Sequence, residues 1–342
     1  MMLFRAAIER DLESIHELAL ASGVGLTTLP KDRTLLKKRL TSSINSFKKK
    51  GHAPSNEYYL FVLVCPIHGK VVGTSAIEAC TGHDAPFYSF QLSKEKGVCS
   101  ELNLQTETEL LTVTRDNEGR SELCTLFLDP TYRIHHNGLL LIRARFLFMS
   151  QFKERFKPRI IAELRGVSDS LGHSPFFDHV SGHFLHMPFS KADELTLSTK
   201  KKFIHDLMPK HPIYVPLIAP AAQAVIGKPH PATLPAMTIL LKEGFYFNQY
   251  VDIFDAGPTL EAPLNHIKTA SQSRVLEFTG TRDEPQGDLF IVANTKEDFR
   301  ATLSKLAINL QDMSCELPHE TVDLLQLKPK DHIRISPLRT QT

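Results

Sequence analysis

The stretch Ser121–Phe152, SELCTLFLDPTYRIHHNGLLLIRARFLFMSQF, constrains the fold more than any other part of this chain. It reads as strand, turn and helix. Glu122–Leu128 is a short apolar run closed by Asp129 and Pro130, the pattern of a buried strand ended by a turn. Arg133–Gly138 is a polar hexapeptide, and Leu139–Phe156 is apolar at helical length. The first N–H groups of a helix have no intrahelical partner, so a strand that turns tightly into a helix start can hold phosphate. Arginine at the head of the hexapeptide and glycine at its tail fit a pyrophosphate. The helix is apolar nearly all round, which fits burial against a sheet. Its cations, Arg143, Arg145, Lys153 and Arg155, are expected to form its wet edge.

Around this segment the periodicity predicts a strand at Leu3–Ala7 and helices over about Asp11–Ser22 and Asp32–Lys50. Tyr58–Cys65 and Lys70–Cys80 read as a hairpin, and Phe87–Val113 as further strands. Arg159–Arg165 is another strand, Thr199–Leu207 and Thr233–Glu243 are helical, and Phe245–Phe254 alternates as a strand. Later strand-like runs are Val275–Phe278, Leu289–Ala293, Leu306–Leu310 and His332–Ser336, with a short helix at Pro318–Leu325. The expected organisation is α+β, with a mixed domain over residues 1–255 and a small, mainly β domain over 256–342.

Composition narrows the function classes. Forty basic and 38 acidic residues leave a net charge of +2 over 342 residues, which gives nucleic-acid binding no support. No run approaches the 18 or so apolar residues of a membrane span. The N-terminus lacks the basic-then-apolar order of a secretory signal. Five scattered cysteines without a CxxC argue against a disulfide framework or zinc site and for a reducing cytoplasm. The sixteen histidines contain no metalloprotease spacing, and no metal site is expected.

The order of elements, with the turn Arg133-Ile-His-His136-Asn137-Gly138, resembles the GNAT acyltransferases, whose R/Q-x-x-G-x-G/A turn holds the CoA pyrophosphate. Arg133 and Gly138 match, and His136 stands at the first Gly. A more specific resemblance covers about residues 1–263. SGVGLTTLP (Ser22–Pro30), SELCTLFLDPTYR (Ser121–Arg133), ELRGVSDSLGHSPFF (Glu163–Phe177), DLMPKHPIYV (Asp206–Val215), VIGKPHPAT (Val225–Thr233) and EGFYFNQYVDIFDAGPTLEA (Glu243–Ala262) are similar to the bacterial arginine N-succinyltransferases. The resemblance implies a GNAT-like mixed sheet flanked by helices. It also implies transfer of succinyl from succinyl-CoA to the α-amino group of L-arginine, the first step of arginine breakdown by that route. Succinyl-CoA would be a co-substrate, with no permanently bound cofactor and a homodimer as the assembly. The family's proton-donor histidine carries over to His230, and its succinyl-CoA contact to Leu126. Acetyl transfer, ornithine as acceptor, and a non-catalytic CoA-binding module stay open.

The chemistry is amine attack on a thioester. An α-amino group, with a reference pKa of about 7.7–8.0, must lose a proton, and a leaving thiolate, near about 8.5, must gain one. A histidine can serve either end. His230 lies between Pro229 and Pro231, which fix the local backbone; by itself it reads first as a loop histidine in a Pro-rich turn, and the family resemblance reverses that order. Leu126 and Phe127 are expected nearest the acyl group, with a backbone N–H of Thr125–Leu128 facing the thioester carbonyl. Arg133, Asn137 and Gly138 are the pyrophosphate candidates. His136 at a glycine position brings a Cβ to a turn where a strained φ is expected. Cys124 reads as a core cysteine. For the amino-acid substrate, Glu78, Glu163, Asp252 and Asp255 near strand ends are candidate anions and Arg165 a candidate cation, while the succinyl carboxylate requires a further Arg or Lys.

Overall fold

Tyr58–Cys65 (YYLFVLVC) is buried at every position, as a central strand covered on both faces must be. It belongs to a sheet that, among the described residues, has sixteen strands. The computed structural model describes residues 1–338 apart from Val24, His52, Ser170, Leu171 and Lys200. Those positions of the Ser22–Pro30, Glu163–Phe177 and Thr199–Leu207 expectations lie outside the described residues.

The strands are Leu3–Ala6 (β1), Tyr58–Cys65 (β2), Lys70–Glu78 (β3), Ser89–Cys99 (β4), Leu104–Thr114 (β5), Ser121–Leu128 (β6), Arg159–Glu163 (β7) and Ile213–Tyr214 (β8). They continue with Tyr246–Asp252 (β9), Pro258–Pro263 (β10), Arg274–Thr281 (β11), Phe290–Asn294 (β12), Arg300–Ser304 (β13), Ala307–Asn309 (β14), Ser314–Leu317 (β15) and His332–Pro337 (β16). The helices are Leu12–Ala21 (α1), Arg33–Lys48 (α2), Asn137–Gln151 (α3), Gly182–Leu185 (α4), Phe189–Ser198 (α5), Lys202–Leu207 (α6), Pro220–Gln223 (α7), Leu234–Lys242 (α8), Lys268–Ser271 (α9) and His319–Leu325 (α10). The spatial order is β14-β15-β11-β16-β12-β13-β1-β2-β3-β6-β7-β10-β9-β4-β5-β8. β6–β7 and β11–β15 pair in parallel; the other pairs are antiparallel. The fold is α+β, a mixed sheet flanked by helices. A mainly β C-terminal region continues the sheet through β13 against β1.

One face of the central strands packs on α3 and α8 through Phe61, Leu123, Leu141 and Leu240. The other face packs on α1 and α2 through Ile15, Leu36, Leu60 and Cys124. Asp32 starts α2 by accepting the Leu35 N–H at 2.7 Å, a side-chain N-cap. The predicted helix over Leu139–Phe156 ends earlier, at Gln151, and is followed by a single 3₁₀ turn, Lys153–Arg155.

The expected wet edge of α3 is corrected. Lys153 is exposed, but Arg143, Arg145 and Arg155 are buried. The helix has the sheet, β16 included, on one side and α8 and α9 on others, so no face is left for water. Arg143 pairs with Glu243 at 2.8 Å and donates to Thr269 Oγ1, Leu338 O and Pro337 O. Arg155 lies 4.6 Å from the Phe152 ring and 3.9 Å from Glu297. Charge on a helix marks water only when the helix has a wet side.

Candidate active site

β6 and β7 pair at only two positions, Ser121↔Ile160 and Glu122↔Ile161. Beyond Glu122 they separate: β7 runs on against β10, while β6 runs to Leu128 against β3. Beside this fork the β3–β6 register shifts between Thr74 and Ala76, and Thr125 takes a φ of +56°. A left-handed φ is costly for a β-branched residue and persists only where surrounding contacts fix it. Here the Thr125 N–H donates to Thr28 Oγ1 at 3.0 Å, its carbonyl accepts from Thr74 Oγ1 at 3.0 Å, and its Oγ1 lies 2.6 Å from Tyr58 Oη. The bulge inserts one residue and reverses the alternation. Cys124 therefore packs on the α1–α2 side and Leu126 on the α3 side.

A cavity of about 150 Å³ passes through the fork. Its walls include Ile142, Arg145 and Leu240 from the α3–α8 side and Thr27, Thr28 and Cys124 from the other. Leu126 lines it. Phe127 does not and instead packs on the α1–α2 side. A second cavity of about 410 Å³ shares Thr27, Thr28, Glu122 and Glu163 with the first and adds Arg39, Glu78 and Lys201. Glu122 and Glu163 thus stand where the two compartments meet.

Carboxylates crowd this junction. Glu78 and Glu122 face each other across β3 and β6, a like-charge pair on one sheet face. Burial, then the neighbouring charge of Glu78, pushes Glu122 up to about 8. Burial, then Asp252 and Glu122, holds Glu163 well above the usual range, and its Oε1 has no hydrogen-bond partner among the described residues. Burial, then Asp252, pushes Asp193 up to about 7. Asp255 is raised by burial and Asp252, yet its role is visible in its bonds: it accepts the N–H groups of Gly166 at 2.7 Å and Gly257 at 2.9 Å. Those glycines are required by close approach, since a Cβ on Gly257 would lie 1.9 Å from Leu164 O. Burial also raises Glu78, against the opposing charges of Arg39 and Lys201. Cys124 is buried, and burial raises its thiol, so it is a core cysteine beside the cavity. Among the described residues no three His, Cys, Asp or Glu are arranged to hold a metal ion.

His230 is held against the end of β7. Its N–H donates to Arg165 O at 2.8 Å, and Pro229 bridges to Gly166. Arg165 and Thr233 line the cavity; the His230 ring is not part of the wall. Nδ1 accepts the Ala232 N–H at 3.0 Å, so the ring proton resides on Nε2. Burial, then the charge of Arg165, lowers its pKa, opposed by a backbone hydrogen bond with Ser168.

At the start of α3 the turn accommodates its histidines. His135 and His136 adopt φ of +49° and +65°, with both side chains exposed. Arg133 is exposed and its Nε donates to Leu128 O at 3.1 Å. Asn137 is buried and closes the turn by donating to Tyr132 O at 3.0 Å. Gly138 follows within the helix; a Cβ there would meet only Leu128 Cδ2 at 4.0 Å. Nothing within the protein requires a glycine at this position.

Of the residues singled out in the sequence, Glu163, Asp252, Asp255 and Arg165 share the first cavity, and Glu78 lies in the second. Glu122, Asp193, Thr28, Arg39 and Lys201 were not singled out. A glutamate inside the apolar Glu122–Leu128 run was the available signal for the first of them.

Two family models cover the chain: arginine N-succinyltransferase beta subunit over residues 2–269 and its C-terminal domain over 272–337. The chain is 40% identical to arginine N-succinyltransferase of Photorhabdus laumondii, over 99% of this chain and 98% of that one. It is 39% identical to the Citrobacter koseri enzyme of that name, over 98% and 97% respectively. Its structure is similar to subunit AI of the arginine/ornithine succinyltransferase from Pseudomonas aeruginosa, with a TM-score of 0.90, 32% identity and 99% of each chain covered. The forked, bulged strand and its carboxylate-lined cavity therefore sit in a protein related to these enzymes along its whole length, and the chain belongs to the arginine N-succinyltransferase family.

Proposed function

We propose that this protein transfers the succinyl group of succinyl-CoA to the α-amino group of L-arginine, releasing N2-succinyl-L-arginine and CoA. The observation that carries the reading is the fork: a bulged strand edge on the α3 side opens, through one cavity, onto carboxylates on the α1–α2 side. Arginine brings two cations, and buried carboxylates are the groups that hold them. In this reading the thioester lies along Leu126, with Phe127 supporting the strand from behind. The pyrophosphate meets Arg133 and the first N–H groups of α3, a turn that Asn137 keeps closed. His230 passes to the departing thiolate the proton that the attacking amine releases, so the ring ends in the form in which it began. The chemistry is assigned to residues 1–255, with 256–342 as a β-rich C-terminal domain. The cytoplasmic homodimer implied by the family resemblance belongs to the same proposal; the five cysteines are unpaired, four of them buried.

The test follows CoA release from succinyl-CoA with arginine, ornithine and lysine supplied in turn. Ornithine is included because the Pseudomonas structure is named for both substrates. Release with arginine, faster than with the other two, is expected. No release with any of the three overturns the reading.

Gly138 supplies a second check. Alanine for glycine inside a helix raises stability by about 0.5–1 kcal/mol, and there is room for the Cβ. If phosphate approaches the backbone here, Gly138→Ala weakens CoA binding by about tenfold while the protein becomes slightly more stable. Unchanged affinity by calorimetry removes Gly138 from the pyrophosphate site.

A further inference from the structure

Arg145 is a buried cation without an anion. It is 2% exposed. Two residues earlier on the same helix, Arg143 has Glu243 at 2.8 Å. Arg145 has no carboxylate within ion-pair distance among the described residues. Its Nε donates to Ile142 O at 3.3 Å and its Nη1 to Ala76 O at 3.1 Å. Nη2 has no such partner among the described residues. A charge taken out of water is strongly disfavoured unless paired. Burial lowers this guanidinium to about 10, which leaves it positive at neutral pH.

Its position explains the missing partner. Arg145 lines the fork cavity together with Leu126 and Ile142. Ala76, whose carbonyl it holds, is the β3 residue opposite Cys124, next to the bulge at Thr125. The carboxylates Glu78 and Glu122 share the sheet face of Cys124, which packs on the α1–α2 side. The cavity is thus polarised, with anions toward the amine compartment and one unpaired cation on the α3 side. A monocarboxylic acyl group would leave that cation unpaired. A dicarboxylic half-thioester would bring its own carboxylate to it.

We propose that Arg145 binds the free carboxylate of the acyl group and selects a dicarboxylic half-thioester over an uncharged acyl-CoA of the same chain length. This rests on the succinyl-transfer reading and names the residue that would make it specific. The contact is a charge-assisted hydrogen bond, with Nη2–H donating to the carboxylate.

The experiment compares succinyl-CoA with butyryl-CoA, which has the same carbon count and no carboxylate, using arginine as acceptor. The wild type is expected to prefer succinyl-CoA. In Arg145→Met, kcat/KM for succinyl-CoA falls on the order of 10²-fold, while butyryl-CoA is used at least as well as by the wild type. Loss of both substrates in equal proportion overturns the proposal, since Arg145 would then serve only the bulge. So does an unchanged preference. Arg145→Lys covers the case in which the Met variant does not fold: it keeps a cation with shorter reach and a smaller succinyl preference, and an unaltered ratio again overturns the assignment. Calorimetry of both thioesters without acceptor separates the two levels of the argument. Absence of turnover with arginine, together with selective binding of succinyl-CoA that the Met variant loses, sinks the acceptor assignment and keeps Arg145. Equal binding of the two thioesters by the wild type sinks Arg145 alone.

Discussion

Replacement of His230 by alanine is expected to lower kcat for arginine-dependent CoA release by about 10²–10⁴-fold, the usual worth of a positioned proton donor. Binding of CoA should be unchanged, because the ring is not part of the cavity wall. The fold should survive for a specific reason. The backbone of His230 makes the structural contacts: its N–H donates to Arg165 O at 2.8 Å and its carbonyl accepts from Thr233 Oγ1 at 2.8 Å. The ring adds the cap to the Ala232 N–H and a hydrogen bond with the Ser168 backbone, and a lost cap costs about 1 kcal/mol. Asparagine is a strong N-cap residue, so His230→Asn restores that bond without restoring a proton donor. Both variants should therefore be equally slow, and Asn the more stable. Wild-type kcat in either one removes the assigned role; recovery in Asn alone would show that His230 matters only as a cap.

How much of this was readable beforehand depends on whether the cause was local. The apolar run of β6, the Asp129-Pro130 stop and the helix after the turn follow from neighbours in sequence, and they appear as expected. The buried arginines of α3 do not. Whether Arg143 meets water depends on Glu243 and Thr269, about a hundred residues and more away, and on strands near the C-terminus that cover the helix. The carboxylates show the same division. Glu78, Glu163, Asp252 and Asp255 were visible as charges at strand ends, but their convergence is created by the separation of β6 from β7. Glu122 was hidden because a strand-like apolar run draws its polar member into the reading of a core strand. His136 shows the opposite case. Sequence alone marked it as crowded, and the turn takes it in a left-handed conformation with the side chain outside. Histidine tolerates that conformation better than a β-branched residue would.

The carboxylate junction leads to the other large expected effect: without substrate, the protein loses stability as pH rises from 6.5 to 8.5. Glu122 is raised to about 8 from an ordinary value of 4.5, and Asp193 to about 7 from 3.8. Each holds a proton in the folded state that the unfolded chain has already released throughout this window. When the folded state binds more protons, unfolding free energy falls with increasing pH. At 1.36 kcal/mol per pKa unit, the two groups together remove about 2–3 kcal/mol across the window. Glu163 and Asp255 are raised by the same cause, burial followed by neighbouring carboxylates. The lowered pKa of His230 contributes with the opposite sign and only at the acid edge of the window, where the unfolded histidine is still releasing its proton. Urea unfolding at several pH values measures the slope, and a flat or rising profile would refute it. Arginine should reverse the trend, because a bound cation favours the ionised carboxylates; its stabilising effect is expected to be larger at pH 8.5 than at 6.5. Glu122→Gln cannot titrate at that position, so it should remove most of the slope and make the stability conferred by arginine nearly independent of pH. If the slope persists in that variant, the proton is held elsewhere, and the junction of the two cavities is not where the protein stores its charge conflict.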